Sequence, residues 1–281
     1  MRDRDLTIQG IRVPAMMYGT AWKEEDTQAC VEAALSAGFR AIDTANQRKH
    51  YFEAGVGRAL STWWAAGNVR DDLFLQTKFT YLRGQDQRLP YDPDAAPNVQ
   101  VEQSFNSSLA HLGVDQLDSY VLHGPSDRTA WTETDRIVWR TMEGLKNDGR
   151  TRLIGVSNVR PHHLRALLAE ATVPPAFVQN RCYAIAGWDE AVRGICAAHG
   201  VVYQGFSLLT ANRRSWGHPK LKAIADRLGA TPAQTLFAYA RGLGILPLTG
   251  TTDPVHMRQD LESLGLRLTE EDREVIGGLE G

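Results

Sequence analysis

Asp43, Lys78 and His123 each stand at the end of a short apolar run, AIDTA, LFLQTKF and LDSYVLHG. A lone aspartate in such a place can simply cap the next helix, and a lone histidine can sit satisfied in a core. A lysine inside LFLQTKF is harder to accommodate. Alternation puts Phe74, Gln76 and Lys78 on one face, where an ammonium demands a carboxylate partner or a shifted pKa. Asp43 is the natural partner. A carboxylate, an ammonium and an imidazole brought to one place are the means of proton transfer. A phenol near the lysine would complete an acid, and IDTANQRKHYFE (42–53) offers two neighbouring donors, His50 and Tyr51.

Such a convergence needs a scaffold whose strands end together. After LTIQGIRVP, which reads as a hairpin, eight strand-like runs follow: AMMYGT, AIDTA, LFLQTKF, LDSYVLHG, TRLIGVSN, FVQNRCYA, VVYQGFS and ILPLTG. Helix-like segments lie between them at 26–38, 53–66, 99–112, 131–148, 160–171, 188–199, 218–243 and 254–264, with Gly38, Gly67, Gly113, Gly149 and Gly200 placed as C-caps. Thr231-Pro232-Ala233-Gln234 is a capping box that restarts the helix inside 218–243. Eight βα units predict an α/β fold, one (β/α)8 TIM barrel over 1–281 with an N-terminal β-hairpin, its chemistry at the C-terminal strand ends. The Pro- and Asp-rich stretch 80–98 is longer than a simple connection and is expected to shape the mouth.

Hydrophobic residues make up 43% and charged residues 23% of the 281, which suffices for a sizeable core and argues against disorder. A net charge of −2 with scattered Lys and Arg gives no footprint for nucleic acid or an anionic membrane, so the expected partner is a small molecule and the protein a monomer or weak homo-oligomer. The opening MRDRDLTIQG has no apolar signal segment, and no run approaches the roughly 18 apolar residues of a membrane span, so a cytoplasmic location is expected. Cys30, Cys182 and Cys196 are widely spaced and read as buried free thiols. His162 and His163 follow Pro161 without further ligands at a metal-binding spacing; they are expected to be solvated, and no metal site is expected.

VPAMMYGTAW, AGFRAIDTA, LFLQTKF, LAHLGVDQLDSYVLHGPS, GRTRLIGVSN, GVVYQGFSLL and GATPAQ together resemble the aldo-keto reductase family over nearly the whole chain. The resemblance implies NAD(P)H-dependent reduction of an aldehyde or ketone by hydride transfer with a Tyr proton donor, and an extended NADPH on a barrel without a Rossmann domain. No G-x-G-x-x-G follows any strand here. It also implies a tetrad of Asp43, Tyr51, Lys78 and His123, in which Lys78, held by Asp43, lowers the Tyr51 pKa and His123 orients the carbonyl. The family's Tyr-x-Asn-Glu is altered: three residues before Glu53 stands His50, and Tyr51 is two before it. The reference pKa of a phenol, about 10, suits the donor and favours Tyr51, with His50 kept as the other candidate.

The resemblance further places Ser157, Asn158 and Gln179 at the nicotinamide amide and Phe206 against its ring. Gly19, Thr20, Ser207, Leu209 and Thr249 would line the cofactor, with Trp22 and His50 in the substrate pocket. For the phosphate that separates NADPH from NADH, a Lys-Ser pair and a later Arg are replaced by PLTGTTDPVHMRQDL. Arg258 or His256 would take over, with Gln259 and Asp260 at the adenine, so NADPH is expected and NADH is not excluded. NRRSW at 212–216 would hold cofactor phosphates or face water. A second reading of the same barrel is a non-catalytic nicotinamide-nucleotide-binding subunit or sensor.

Overall fold

The structure, a computed structural model, describes residues 5–279. The expected hairpin is its first element: β1 (Leu6–Ile8) pairs antiparallel with β2 (Ile11–Val13) around Gln9 and Gly10, both at positive φ. The eight apolar runs become parallel strands: β3 (Met17–Gly19), β4 (Ala41–Asp43), β5 (Phe74–Phe79), β6 (Leu117–Leu122), β7 (Thr151–Ser157), β8 (Phe177–Arg181), β9 (Val202–Phe206) and β10 (Ile245–Thr249). Each pairs with the next, and β10 closes onto β3, giving the (β/α)8 barrel.

The helices are α1 (Thr27–Ala37), α2 (Glu53–Ala65), α3 (Pro97–Leu112), α4 (Glu133–Asn147), α5 (Pro161–Glu170), α6 (Glu190–Ala198), α7 (Arg213–Trp216), α8 (Pro219–Leu228), α9 (Pro232–Gly242), α10 (Pro254–Glu262) and α11 (Glu270–Gly277). The segment 218–243 divides at Gly229, and the capping box opens α9 as expected: Gln234 N–H donates to Thr231 Oγ1 at 3.2 Å and Thr231 N–H to Gln234 Oε1 at 2.8 Å. Helix α2, whose first residue is Glu53, touches α3 closely because Gly57 has no side chain; a Cβ there would lie 1.9 Å from the His111 carbonyl oxygen. The long 80–98 stretch is tied back to the mouth, with Tyr91 OH donating to the Thr80 carbonyl at 2.8 Å and Gln47 Nε2 to the Gly84 carbonyl at 2.6 Å.

The barrel interior fills in layers. At the N-terminal end an apolar layer of Met17, Ala41, Phe74, Leu153, Phe177, Leu246 and Leu248 packs with Ile8, Ile11 and Val13 of the hairpin. Above it the inward positions turn polar: Asp43, Gln76, Lys78, Ser119, Gln179 and Gln204 are all buried. The structure adds particulars to three expectations. All three cysteines are free and buried. NRRSW carries the short helix α7, with Arg213 and Arg214 exposed. The expected solvation of His162 and His163 fails for His163, which is buried because its Nδ1 accepts the Arg160 N–H at 3.2 Å and closes the first turn of α5.

Candidate functional site

The register that makes β4 and β5 neighbours brings Asp43 and Lys78 together at the C-terminal end of the barrel. Lys78 Nζ donates to Asp43 Oδ1 and Oδ2, each at 2.7 Å, and to the Thr44 carbonyl at 2.8 Å. All three ammonium donors are thereby used. The pair is nearly sealed from water, at 0% and 4% side-chain exposure, so burial drags the Lys78 pKa down while the Asp43 charge draws it back up.

Tyr51 lies over this pair, its ring centroid 5.2 Å from Lys78 Nζ and 5.8 Å from the His123 ring, edge-on to it. The expected lowering of the Tyr51 phenol by Lys78 is not found. Burial pushes that pKa above its ordinary 10 and the Asp43 carboxylate adds to the rise, because Lys78 has its charge matched by Asp43. Tyr51 is accordingly a protonated phenol. His50 goes elsewhere: its ring stacks on Trp22 at 3.9 Å, and burial followed by the neighbouring Lys49 lowers its pKa. Trp22 is 71% exposed at φ 62°, a rim residue with a free face.

His123 caps β6. Its Nδ1 meets Thr80 Oγ1 at 2.7 Å, which leaves Nε2 to face the mouth. Burial, with the positive charge of Lys78 next, holds the imidazole neutral by pulling its pKa down to about 3. When the Thr80 hydroxyl donates to Nδ1, the ring proton sits on Nε2 and makes it a donor.

The residues expected at a cofactor divide into committed and open groups. Thr20 N–H and Oγ1 both donate to the Asp43 carbonyl, at 3.0 and 3.1 Å. Ser157 Oγ donates to the Gln179 carbonyl at 2.6 Å and accepts from Asn158 Nδ2 at 3.2 Å, and the same Nδ2 donates to the His123 carbonyl at 2.7 Å. Asn158 is exposed in a left-handed conformation, φ 54°. Gln179 spends its Nε2 on Asp43 and Gln204, at 3.1 and 2.9 Å. The carbonyl oxygens of Asn158 and Gln179 side chains remain without a hydrogen-bond partner among the described residues. Phe206, Ser207 and Leu209 are half-buried where the chain leaves β9, Ser207 at φ 58°. Gly19 is half-buried at the end of β3, where a Cβ would sit 3.5 Å from the Thr249 carbonyl.

Between the end of β10 and α10, Thr249 and Asp260 are turned inward onto each other, Thr249 Oγ1 donating to Asp260 Oδ2 at 2.7 Å. Both are buried, which lifts the Asp260 carboxyl to about 6; Asp260, expected at the adenine, is turned inward here. Arg258 and His256 are exposed on α10, and Gln259 is half-buried.

Sequence reasoning passed over several residues of this site. Thr80 and Gln204 continue the inward alternation of Gln76, Lys78 and Gln179, and that periodicity was the available signal; Gln76 was placed on the Lys78 face but given no role. Lys23 is 6% exposed, and its Nζ donates to the Gly250 carbonyl at 2.7 Å, beside the seam where β3 and β10 end.

Comparison with known proteins agrees with this geometry. The profile of the Aldo/keto reductase family matches residues 15–279. An aldo-keto reductase of Mycolicibacterium smegmatis is 32% identical over 283 residues, covering 100% of this chain and 94% of its own. Aldo-keto reductase family 1 member A1 of Gallus gallus is 28% identical, covering 96% and 86%. Among solved structures, an aldo/keto reductase from Brucella melitensis superposes with a TM-score of 0.82 at 26% identity, over 98% of this chain and 99% of that one. A Bombyx mori aldo-keto reductase in complex with NADP shares the fold, TM-score 0.82 at 23% identity, over 97% and 91%.

Proposed function

The chain belongs to the aldo/keto reductase family, and from that premise we propose that it reduces an aldehyde or ketone to the alcohol, with NADPH preferred over NADH. The observation that carries the reading is the sealed Asp43–Lys78 pair beneath the Tyr51 ring with a neutral His123 beside it. Burying two charges is costly, and a barrel that only bound a nucleotide would gain nothing from placing them at its mouth.

The residues fit the cofactor. Two unpartnered side-chain oxygens, on Gln179 and Asn158, suit the N–H donors of a carboxamide, and Phe206 offers an aromatic face beside them. Arg258 and His256 supply exposed cationic or donor groups for the extra phosphate of NADPH, and the Lys23 ammonium adds positive charge at the β3–β10 seam. Bound there, the nicotinamide supplies the hydride.

The chain's own residues handle the proton. Tyr51, kept protonated by its burial, gives its phenolic proton to the carbonyl oxygen as negative charge develops on it. Lys78, fixed by Asp43 and Thr44 with its Nζ 5.2 Å from the Tyr51 ring centroid, anchors the charged pair beneath the phenol; its three N–H donors are already used, so it gives the phenolate no hydrogen bond. His123 Nε2 donates to the same carbonyl oxygen and orients it.

The test is oxidation of NADPH and of NADH by the purified protein with a panel of aldehydes such as nitrobenzaldehyde. Turnover with NADPH exceeding that with NADH is expected. Tight cofactor binding without turnover of any aldehyde would overturn the reading in favour of a nucleotide-binding subunit.

A further inference from the structure

Beneath the Asp43–Lys78 pair, three amide side chains close a ring with the carboxylate. Gln76 Nε2 donates to Asp43 Oδ1 at 2.7 Å and to Gln204 Oε1 at 2.9 Å. Gln179 Nε2 donates to the same two oxygens, at 3.1 and 2.9 Å. Gln204 Nε2 returns a hydrogen bond to Gln76 Oε1 at 3.1 Å, and Ser119 Oγ donates to that oxygen at 2.8 Å. Gln76, Gln204 and Ser119 are 0% exposed, and Gln179 2%.

A glutamine amide has nearly the same shape either way round, so its partners decide which end is oxygen. Here the decision descends from one charge. An ionised carboxylate only accepts, so Gln76 and Gln179 must both turn their NH2 groups to Asp43. Each then has one N–H left, and both meet Gln204, which must answer with its oxygen. Its NH2 faces Gln76 Oε1, the only arrangement in which no two donors and no two acceptors confront each other. The outcome for Gln179 is that both its donors are spent and only an acceptor is left for a ligand.

We propose that Gln76 and Gln204 are positioning residues for reduction: through the ring they lock the Gln179 amide so that it accepts from the carboxamide NH2 of the nicotinamide, and they make the chain selective for cofactors that carry that NH2. This rests on the nicotinamide reading above. Neither residue touches the cofactor. Gln76 acts on Asp43, whose orientation holds Lys78, and Gln204 acts on Gln179, whose orientation reads the ligand. Asp43 alone already turns the Gln179 NH2 inward; Gln204 supplies the second acceptor that fixes the plane of that amide, Gln76 holds Gln204 in place, and without them Gln179 swings about a single anchor and its oxygen loses its aim.

The experiment compares reduced cofactor with its reduced acetylpyridine analogue, in which a methyl replaces the carboxamide NH2. Binding is followed by fluorescence titration and turnover by steady-state kinetics, on wild type, Gln76→Leu, Gln204→Leu and the double variant. Wild type should favour the amide cofactor by about tenfold, the worth of one buried hydrogen bond. Both single variants should bring that ratio close to one, and the double variant should go no further, because the two residues serve one ring. Gln204→Leu leaves Asp43 untouched, so the outcome remains readable even where Gln76→Leu does not fold. Folded variants that keep the wild-type ratio, or an additive double variant, overturn the proposal. A wild type that binds neither cofactor overturns the functional reading and this proposal together, whereas a wild type that turns over aldehydes with variants of unchanged ratio overturns this proposal alone.

Discussion

Trp22 and His50 form one unit at the rim: Trp22 N–H donates to the His50 carbonyl at 2.7 Å, and their rings stack with centroids 3.9 Å apart. That attachment separates the two candidate acids. Tyr51→Phe should lower kcat about a hundredfold or more, the scale of a lost general acid, with cofactor binding intact. His50→Ala should raise KM for the aldehyde more than it lowers kcat. The reverse pattern in the two variants would move the acid to the imidazole.

The Asp43–Lys78 pair predicts an asymmetric cost. Lys78→Met leaves a buried carboxylate without its counter-charge and should cost about 3–5 kcal/mol in denaturant unfolding. Replacing both residues by apolar ones removes the unmatched charge and should recover part of that stability while leaving the protein inactive. A double variant no more stable than Lys78→Met would contradict the electrostatic account.

His123 titrates far from the ordinary histidine range, pulled from 6.5 to about 3 chiefly by burial. The unfolded chain therefore binds this proton first, and stability falls as pH drops below about 6.5 toward about 3. Melting temperatures across that window should show the decline, and His123→Gln should flatten it. Catalysis should show no imidazole ionisation near neutrality. Thr80→Val should reduce kcat about tenfold, since the hydroxyl that fixes the ring tautomer is gone. A neutral effect of Thr80→Val would mean that the tautomer is set elsewhere.

On α10, Arg258 is the exposed guanidinium that could meet the extra phosphate of NADPH. Arg258→Ala should raise KM for NADPH about tenfold and leave KM for NADH nearly unchanged. Equal losses with both cofactors would place that phosphate on another residue.

Much of this site was legible before any coordinates, and the reason is periodicity. Asp43, Lys78 and His123 stood out because each charged or titratable residue ended an apolar run, and strand ends converge in a barrel. The same alternation carried Gln76 and Thr80 inward, but neutral side chains raise no alarm in a sequence, so the amide ring was invisible until the strands closed. The choice between His50 and Tyr51 was beyond pattern altogether. It depends on how the loop after β4 is pinned, and the pin is a backbone hydrogen bond to Trp22, nearly thirty positions earlier. That Asp260 turns inward could not be read either, because its partner is the buried Thr249 hydroxyl, eleven positions away in the chain.

The apolar hairpin packed under the barrel leaves the strand cylinder with one door. On the proposed reading cofactor and aldehyde share it, and a nicotinamide held by Ser157, Asn158 and Gln179 at the ends of β7 and β8 would be covered by an aldehyde under Trp22 and His50. That placement predicts an order: nucleotide in first, alcohol out before spent nucleotide. Product inhibition should reflect that order, with NADP competing against NADPH and the alcohol competing against neither partner; an alcohol competitive with NADPH would show a second way in.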